Sequence, residues 1–369
     1  MQQQPAFQEA VCLIFYFKKV IMLKMYARLE QEKNMPSLSK NYSSGNSAPA
    51  ISLNLFKISF MRKIVLLSVL LASLFSISLK AQVTVTGDAA GSYSDLATAL
   101  SLLPATLTQN TVVSVDPGNP QTAPAGGYVI TTTGTPSFSL TISGNSNTVT
   151  AAAGLTAGNI NDAVFKIVGG DYITLQGFTI NENANTAITV ASNTMTEFAI
   201  ALYAASTTDG AKNNTIQNNT INMGTAGYTQ SYGILSTSNF SSANGTTVTT
   251  QASVAGGENS NNKIYGNNIS NVAFGIFVLS PVATATFSET GLDIGGSTPL
   301  TGNTISYRGN ANVTSAFTTI ASTSIHGGII IRNNVGVSIR YNTITSGTIS
   351  TAAVSTNGIT VTASTTPAG

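Results

Sequence analysis

Sulfur, indole and charge are all scarce in this 369-residue chain, and each shortage excludes something. The single cysteine, Cys12, lies upstream of an apolar leader. The region beyond the leader therefore has no thiol for a disulfide, a thiolate zinc site or a cysteine nucleophile. Nor can it be lipid-anchored through an N-terminal cysteine. There is no tryptophan and one histidine, and only 8% of residues are charged. The formal net charge of +2 misleads, because residues 1–81 hold ten of the sixteen basic residues and three of the fourteen acids. From Gln82 onward six basic and eleven acidic residues remain, a net charge of about −5. With its basic residues scattered, that region has no phosphate-tracking patch, which excludes nucleic acid as a partner.

What remains is Thr, Ser, Asn, Gly, Ala and Ile. Disordered chains also carry few apolar residues, but this one is rich in Val, Ile and Thr, which suit a pleated surface. The leader has its own grammar. Met61-Arg62-Lys63 precedes an uncharged run from Ile64 to Leu79, and Lys80-Ala81-Gln82 follows. A basic start, an apolar stretch and a small residue before the cut make a secretory signal peptide over 61–81. The run is shorter than the ~20 residues a bilayer span takes, so the mature chain is expected to have no membrane span. Residues 1–60 are read as an over-extended reading frame ahead of a true start at Met61, with a genuine extension as the alternative.

A six-residue pattern, apolar-x-x-Asn-x-Ile, recurs along the rest. It stands at Ile216-Gln-Asn-Asn219-Thr-Ile221, Ile264-Tyr-Gly-Asn267-Asn-Ile269, Leu300-Thr-Gly-Asn303-Thr-Ile305 and Ile339-Arg-Tyr-Asn342-Thr-Ile344. A fifth copy, Leu175-Gln-Gly-Phe178-Thr-Ile180, has Phe in place of Asn. Between these lies a second element, a small residue followed by apolar alternation. It appears at Phe198-Ala-Ile200, Tyr232-Gly-Ile234, Phe274-Gly-Ile276, Gly328-Ile-Ile330 and Asn357-Gly-Ile359. The two elements alternate without exception.

Residues five apart in a straight strand face opposite ways, yet Ile216 and Ile221 both look like core residues. A bend between them returns both to the inside, and Asn tolerates the left-handed conformation such a bend uses. Stacked coils would then line Asn219, Asn267, Asn303 and Asn342 into a ladder of amide hydrogen bonds. Stretches such as 236–261 and 280–298 are expected to be loops thrown out between strands. Ser94 or Asp95 can cap a short helix that presents Leu96, Ala99, Leu100 and Leu103 on one face, before Pro104 stops it.

These repeats resemble the right-handed parallel β-helix proteins of the pectate-lyase-like fold, strongly over 160–362 and loosely over 83–160. The resemblance implies an all-β, single-stranded solenoid: an N-terminal cap and first coils over 82–159, then β-helix repeats over 160–369. It also implies that the short helix covers the open end of the coil. The leader ending in Ala81-Gln82 with a Thr/Asn-rich body is similar to surface proteins of Bacteroidota-type bacteria, which often end in a sorting domain for type IX secretion. No such ending is visible. The last Gly358-Ile-Thr-Val361 element has no Asn-Ile partner after it, so the solenoid reads as C-terminally incomplete.

Chemistry is harder to find. Glycoside hydrolysis takes two facing carboxylates, and calcium takes several oxygens at once. The acids beyond the leader stand singly in sequence, with Glu289 and Asp293 the nearest pair, on an expected loop. No metal or other cofactor is expected. His326-Gly-Gly with Arg332 partly resembles the Gly-His-Gly and Arg-x-Lys elements of polygalacturonases. The preceding residue is Ile325, no Lys follows at the family spacing, and the paired-Asp and Asn-Thr-Asp motifs are missing. His326, Asp293 and Arg332 are thus the catalytic candidates, and weak ones. Arg308, Arg332 and Arg340 with Tyr307 and Tyr341 are a candidate stripe for an acidic sugar. The expected function is a secreted or surface-displayed scaffold, adhesin-like, whose partner is a polysaccharide or cell-surface glycan. The alternative is a polysaccharide lyase or glycoside hydrolase on the same fold.

Overall fold

The computed structural model describes residues 81–155, 162–185, 188–189, 192–224, 231–238, 252–280, 287–307, 325–347 and 355–362. Residues 1–80 lie outside these, as do Arg308 and the closing residues 363–369. Short β-branched strands that are apolar at every second residue can bury only one face. Here the chain satisfies them by coiling, so that three sheets share one interior: a parallel β-helix. One coil runs through Thr215–Gln217 in the first sheet, Thr220–Asn222 in the second and Tyr232–Thr237 in the third.

The first sheet begins with Val83–Thr86, antiparallel to both Gly91–Tyr93 and Thr111–Val115. From Thr111–Val115 onward every neighbour is parallel. The register stacks like on like. Leu175, Ile216, Ile264, Ile294 and Ile339 form one column. Val149, Ile180, Ile221, Ile269, Ile305 and Ile344 form the second, and Phe165, Ile200, Ile234, Ile276, Ile329 and Ile359 the third. Each fully buried isoleucine contributes about 1.5–3 kcal/mol, and this repetition is the main source of stability.

The recurring small residue has a steric cause. A Cβ on Gly233 would lie 2.5 Å from Ile269 Cγ2, one on Gly275 2.4 Å from Ile305 Cγ2, and one on Gly328 2.4 Å from Ile344 Cγ2. The second-sheet isoleucine of one coil therefore occupies the space where a third-sheet side chain would stand. At the N-terminal end the expected helix forms over Leu96–Ser101. Asp95 caps it by accepting the Thr98 N–H at 2.7 Å, and Leu96 and Ala99 are buried against the interior.

The corner between first and second sheets carries the asparagines. The Asn267 Oδ1 accepts the backbone N–H of Asn219 at 3.1 Å, Asn303 does the same for Asn267 at 3.0 Å, and Asn342 for Asn303 at 3.1 Å. Each amide group also donates, as Asn267 Nδ2 does to the Ile216 carbonyl at 2.9 Å. The left-handed residue is not the ladder asparagine, however. It is the residue before it: Asn218, Gly266 and Tyr341 have φ of 54°, 60° and 58°. The bend is made one position earlier so that the ladder side chain can fall inside it.

The Leu300 copy of the motif is a second correction. Leu300 is 93% exposed, within a short 3-10 turn Pro299–Thr301. The core position belongs to Ile294, and Gly295–Gly302 is an insertion before Asn303.

Candidate functional site

Among the described residues, three polar clusters stand out. The first is the outward face of the first sheet, where residues alternating with the buried column project away from the core. Thr174, Thr215, Lys263, Asp293 and Ser338 align in one row. Gln176, Gln217 and Tyr265 align in the next, and Arg340 follows the same edge. Gln217 Nε2 donates to Gln176 Oε1 at 2.7 Å. Tyr265 donates its hydroxyl to Asp293 Oδ2 at 2.7 Å, and Arg340 Nη2 stands 3.7 Å from the same oxygen. Burial, reinforced by the bond to the Asp293 carboxylate, pushes the Tyr265 phenol up to about 12, so it remains a donor at neutral pH.

Two of the catalytic candidates, Asp293 and Arg332, stand on different sheets. Asp293 does not lie on a loop with Glu289 but opens the first-sheet strand Asp293–Ile294. Arg332 ends the third-sheet strand Ile325–Arg332, with its guanidinium 5.7 Å from the Phe277 ring centroid. His326 belongs to that strand and pairs with Thr356, but its imidazole lies outside the described residues. Different sheets hold Asp293 and Arg332 because short motif spacing in sequence is not adjacency in a coil. The described members of the Arg/Tyr stripe do not share one face. Tyr307 is buried, Arg332 is on the third sheet, and Arg340 and Tyr341 are at the first sheet's edge.

The second place contradicts the reading of the acids as isolated. Asp162 and Glu197 immediately precede the third-sheet strands Ala163–Val168 and Phe198–Tyr203, whose register pairs Ala163 with Phe198. The two carboxyls, one coil apart in sequence, therefore stack and hydrogen-bond, and both residues are buried. Glu182 closes the second-sheet side of this junction, accepting the Thr196 N–H at 2.9 Å and the Asn183 N–H at 2.8 Å. Burial pushes the Glu182 carboxyl up to about 7. Burial also raises Asp162, with Glu182 adding to the effect and Lys166 opposing it. Lys166 is itself lowered by burial.

The third place is Glu289, fully buried at the corner between third and first sheets. Ser238 Oγ donates to its Oε1 at 2.6 Å, and Asn334 Nδ2 lies 3.5 Å from its Oε2. Burial raises this carboxyl to about 7. Nearby, Asn259, Asn262 and Asn214 build bonding columns of their own. Asn259 Oδ1 accepts the Ala211 N–H at 2.8 Å, and Asn262 Oδ1 accepts the Asn214 N–H at 2.9 Å. The sequence signal for the latter pair was an Asn-x-Ile five residues ahead of each ladder Asn-x-Ile. Among the described residues no group of three or more His, Cys, Asp or Glu side chains is placed to hold a metal ion, and no helix is long and apolar enough to cross a membrane.

No family model matches the chain, and no curated protein does. Among solved structures, an alginate lyase from Paenibacillus sp. str. FPU-7 is similar at 16% identity, with a TM-score of 0.24, over 73% of this chain and 98% of that one. The fold assignment rests on the strand register itself.

Proposed function

We propose that this protein is an exported β-helix scaffold that contacts glycans through the outward face of its first sheet. The observation that carries the reading is the pair of aligned polar rows containing Gln176, Gln217, Tyr265, Lys263, Asp293 and Arg340. Stacked strands place such groups about 4.8 Å apart on a rigid, nearly flat surface. Amide, phenol, ammonium and guanidinium donors beside carboxylate and amide acceptors are what a polyhydroxylated chain needs for many shallow hydrogen bonds. The buried ladders beneath hold these groups in place before any ligand arrives, which lowers the ordering cost of binding. The leader at 61–81 supports export, and the likeness of leader and body to Bacteroidota-type surface proteins supports display at the cell surface, type IX secretion being the route that likeness suggests.

Binding to immobilised neutral and acidic polysaccharides tests this. Tyr265→Ala and Arg340→Ala should each weaken binding about tenfold with the fold intact by circular dichroism. Unchanged binding by both variants, or release of unsaturated products from the polysaccharide, would replace the reading with another.

A further inference from the structure

We propose that Asp162 and Glu197 form a proton-held clasp between two successive coils, closed while the pair keeps a proton and loosened when that proton is lost to solvent. Two carboxyl groups can hydrogen-bond to each other only if one of them is protonated, and the register stacks Asp162 directly beside Glu197. The backbone ties the same two residues into adjacent rungs: Phe198 N–H donates to the Asp162 carbonyl at 3.1 Å, and Tyr232 N–H to the Glu197 carbonyl at 2.7 Å. When the proton leaves, two anions face each other in a site that water barely reaches. Their repulsion acts along the stacking direction, against those backbone bonds.

The surroundings bias the clasp rather than replace it. Glu182, at the end of the second-sheet strand Thr179–Asn181, adds a third acid that raises Asp162. Lys166, on the strand that follows Asp162, pulls the other way. Tyr203, on the strand that follows Glu197, and Tyr232, on the neighbouring strand, are both raised by burial and stay neutral through the physiological range. The second oxygen of Asp162, Oδ2, is buried with no hydrogen-bond partner, so no donor at that oxygen offsets the charge if it forms. Burial lifts both Glu182 and Asp162 toward neutrality, which places the loosening near physiological pH rather than in acid. The junction between second and third sheets would therefore be tighter in mildly acidic surroundings than in mildly alkaline ones.

Hydrogen exchange on the full chain at about pH 5.5 and about pH 8.5, corrected for intrinsic rates, reads this directly. Amides in peptides around Phe198 and Tyr232 should exchange about tenfold faster at the higher pH, relative to ladder amides around Asn267. Asp162→Asn keeps a hydrogen-bonding partner for Glu197 with one charge fewer, and should remove the difference. Glu289→Gln, which alters the other buried acid, should leave it in place. Wild-type protection that tracks the ladder amides at both pH values overturns the clasp, even if the variant fails to fold. So does a pH difference that survives in Asp162→Asn.

Discussion

The Asn267 side chain bonds to Asn219 twice, its Oδ1 accepting both the backbone N–H and the Nδ2 of Asn219 at 3.1 Å. One amide thus satisfies the corner of the coil beside it while its own Nδ2 reaches the Ile216 carbonyl. Substituting it leaves several buried groups unpaired at once, whereas a surface amide leaves none. Asn267→Ala should cost about 1–3 kcal/mol, and Gln217→Ala, on the outward face, well under 1 kcal/mol. Urea melts of the two variants give the comparison, and equal midpoints would remove the ladder's special status.

Packing at the third sheet gives a sharper contrast. A Cβ on Gly275 would meet the Gly328 carbonyl oxygen and Ile305 Cγ2, each at 2.4 Å, and a backbone oxygen cannot move aside cheaply. At Gly358, the same position in the last described coil, nothing lies within 4 Å. Gly275→Ala should therefore destabilise by about 1–3 kcal/mol and Gly358→Ala hardly at all. A thermal shift of similar size in both would show that backbone conformation, not space, selects glycine there.

Glu289 sets a pH dependence whose sign can be worked out. Its carboxyl stays protonated in the fold up to about 7, while in the unfolded chain it ionises near the ordinary 4.5. The resulting cost is absent below the lower value, grows as pH rises between the two, and is complete above the upper one. Gln is neutral and of the same shape. It also needs an acceptor, which Asn334 Oδ1 supplies if that amide turns over, since this buried oxygen has no other partner. Glu289→Gln should be nearly neutral at about pH 4 and stabilising by about 2–3 kcal/mol at about pH 8. Chemical denaturation at the two pH values checks it, and a constant difference between variants would refute the assignment.

How much of this could be read from the residues follows from what repeats. Isoleucines and asparagines at fixed spacing announced the coil, its corner and its ladder, because stacking makes every rung obey the same local rule. The Leu300 copy misled for the same reason: an apolar residue and an asparagine at the right distance also occur by accident beside an insertion. Asp162, Glu182 and Glu197 were illegible because their meeting depends on how many residues separate successive coils. That length is set by loops of variable size, not by any motif. The Tyr265–Asp293–Arg340 contacts on the first sheet were hidden likewise, since each partner comes from a different coil.

The last prediction concerns the rung where the ladder's pattern is broken. Phe178 takes the ladder position below Asn219 and donates its N–H to Asn219 Oδ1 at 3.1 Å, so the backbone arrangement continues without the amide. Restoring the repeat by Phe178→Asn looks like a gain of one or two hydrogen bonds, about 1–2 kcal/mol. The surroundings argue otherwise. The ring is 1% exposed and packs at 4.9 Å between centroids against Phe165, which in turn stacks on Tyr128 at 5.1 Å. On the other side a Cβ on Gly144 would lie 2.5 Å from the Phe178 ring and 2.7 Å from the Gly177 carbonyl oxygen. The rung below is therefore shaped around an aromatic, and an asparagine would leave a void that glycine cannot close. Emptying a buried phenylalanine site costs about 3–5 kcal/mol, more than the new bonds return. Phe178→Asn should thus lower stability by about 2–3 kcal/mol, and Gly144→Ala is no remedy, because its Cβ would still lie 2.7 Å from the Gly177 carbonyl oxygen. Calorimetric melts of the parent and of Phe178→Asn decide it: a variant as stable as the parent would mean that the ladder, and not the aromatic pair, governs this rung.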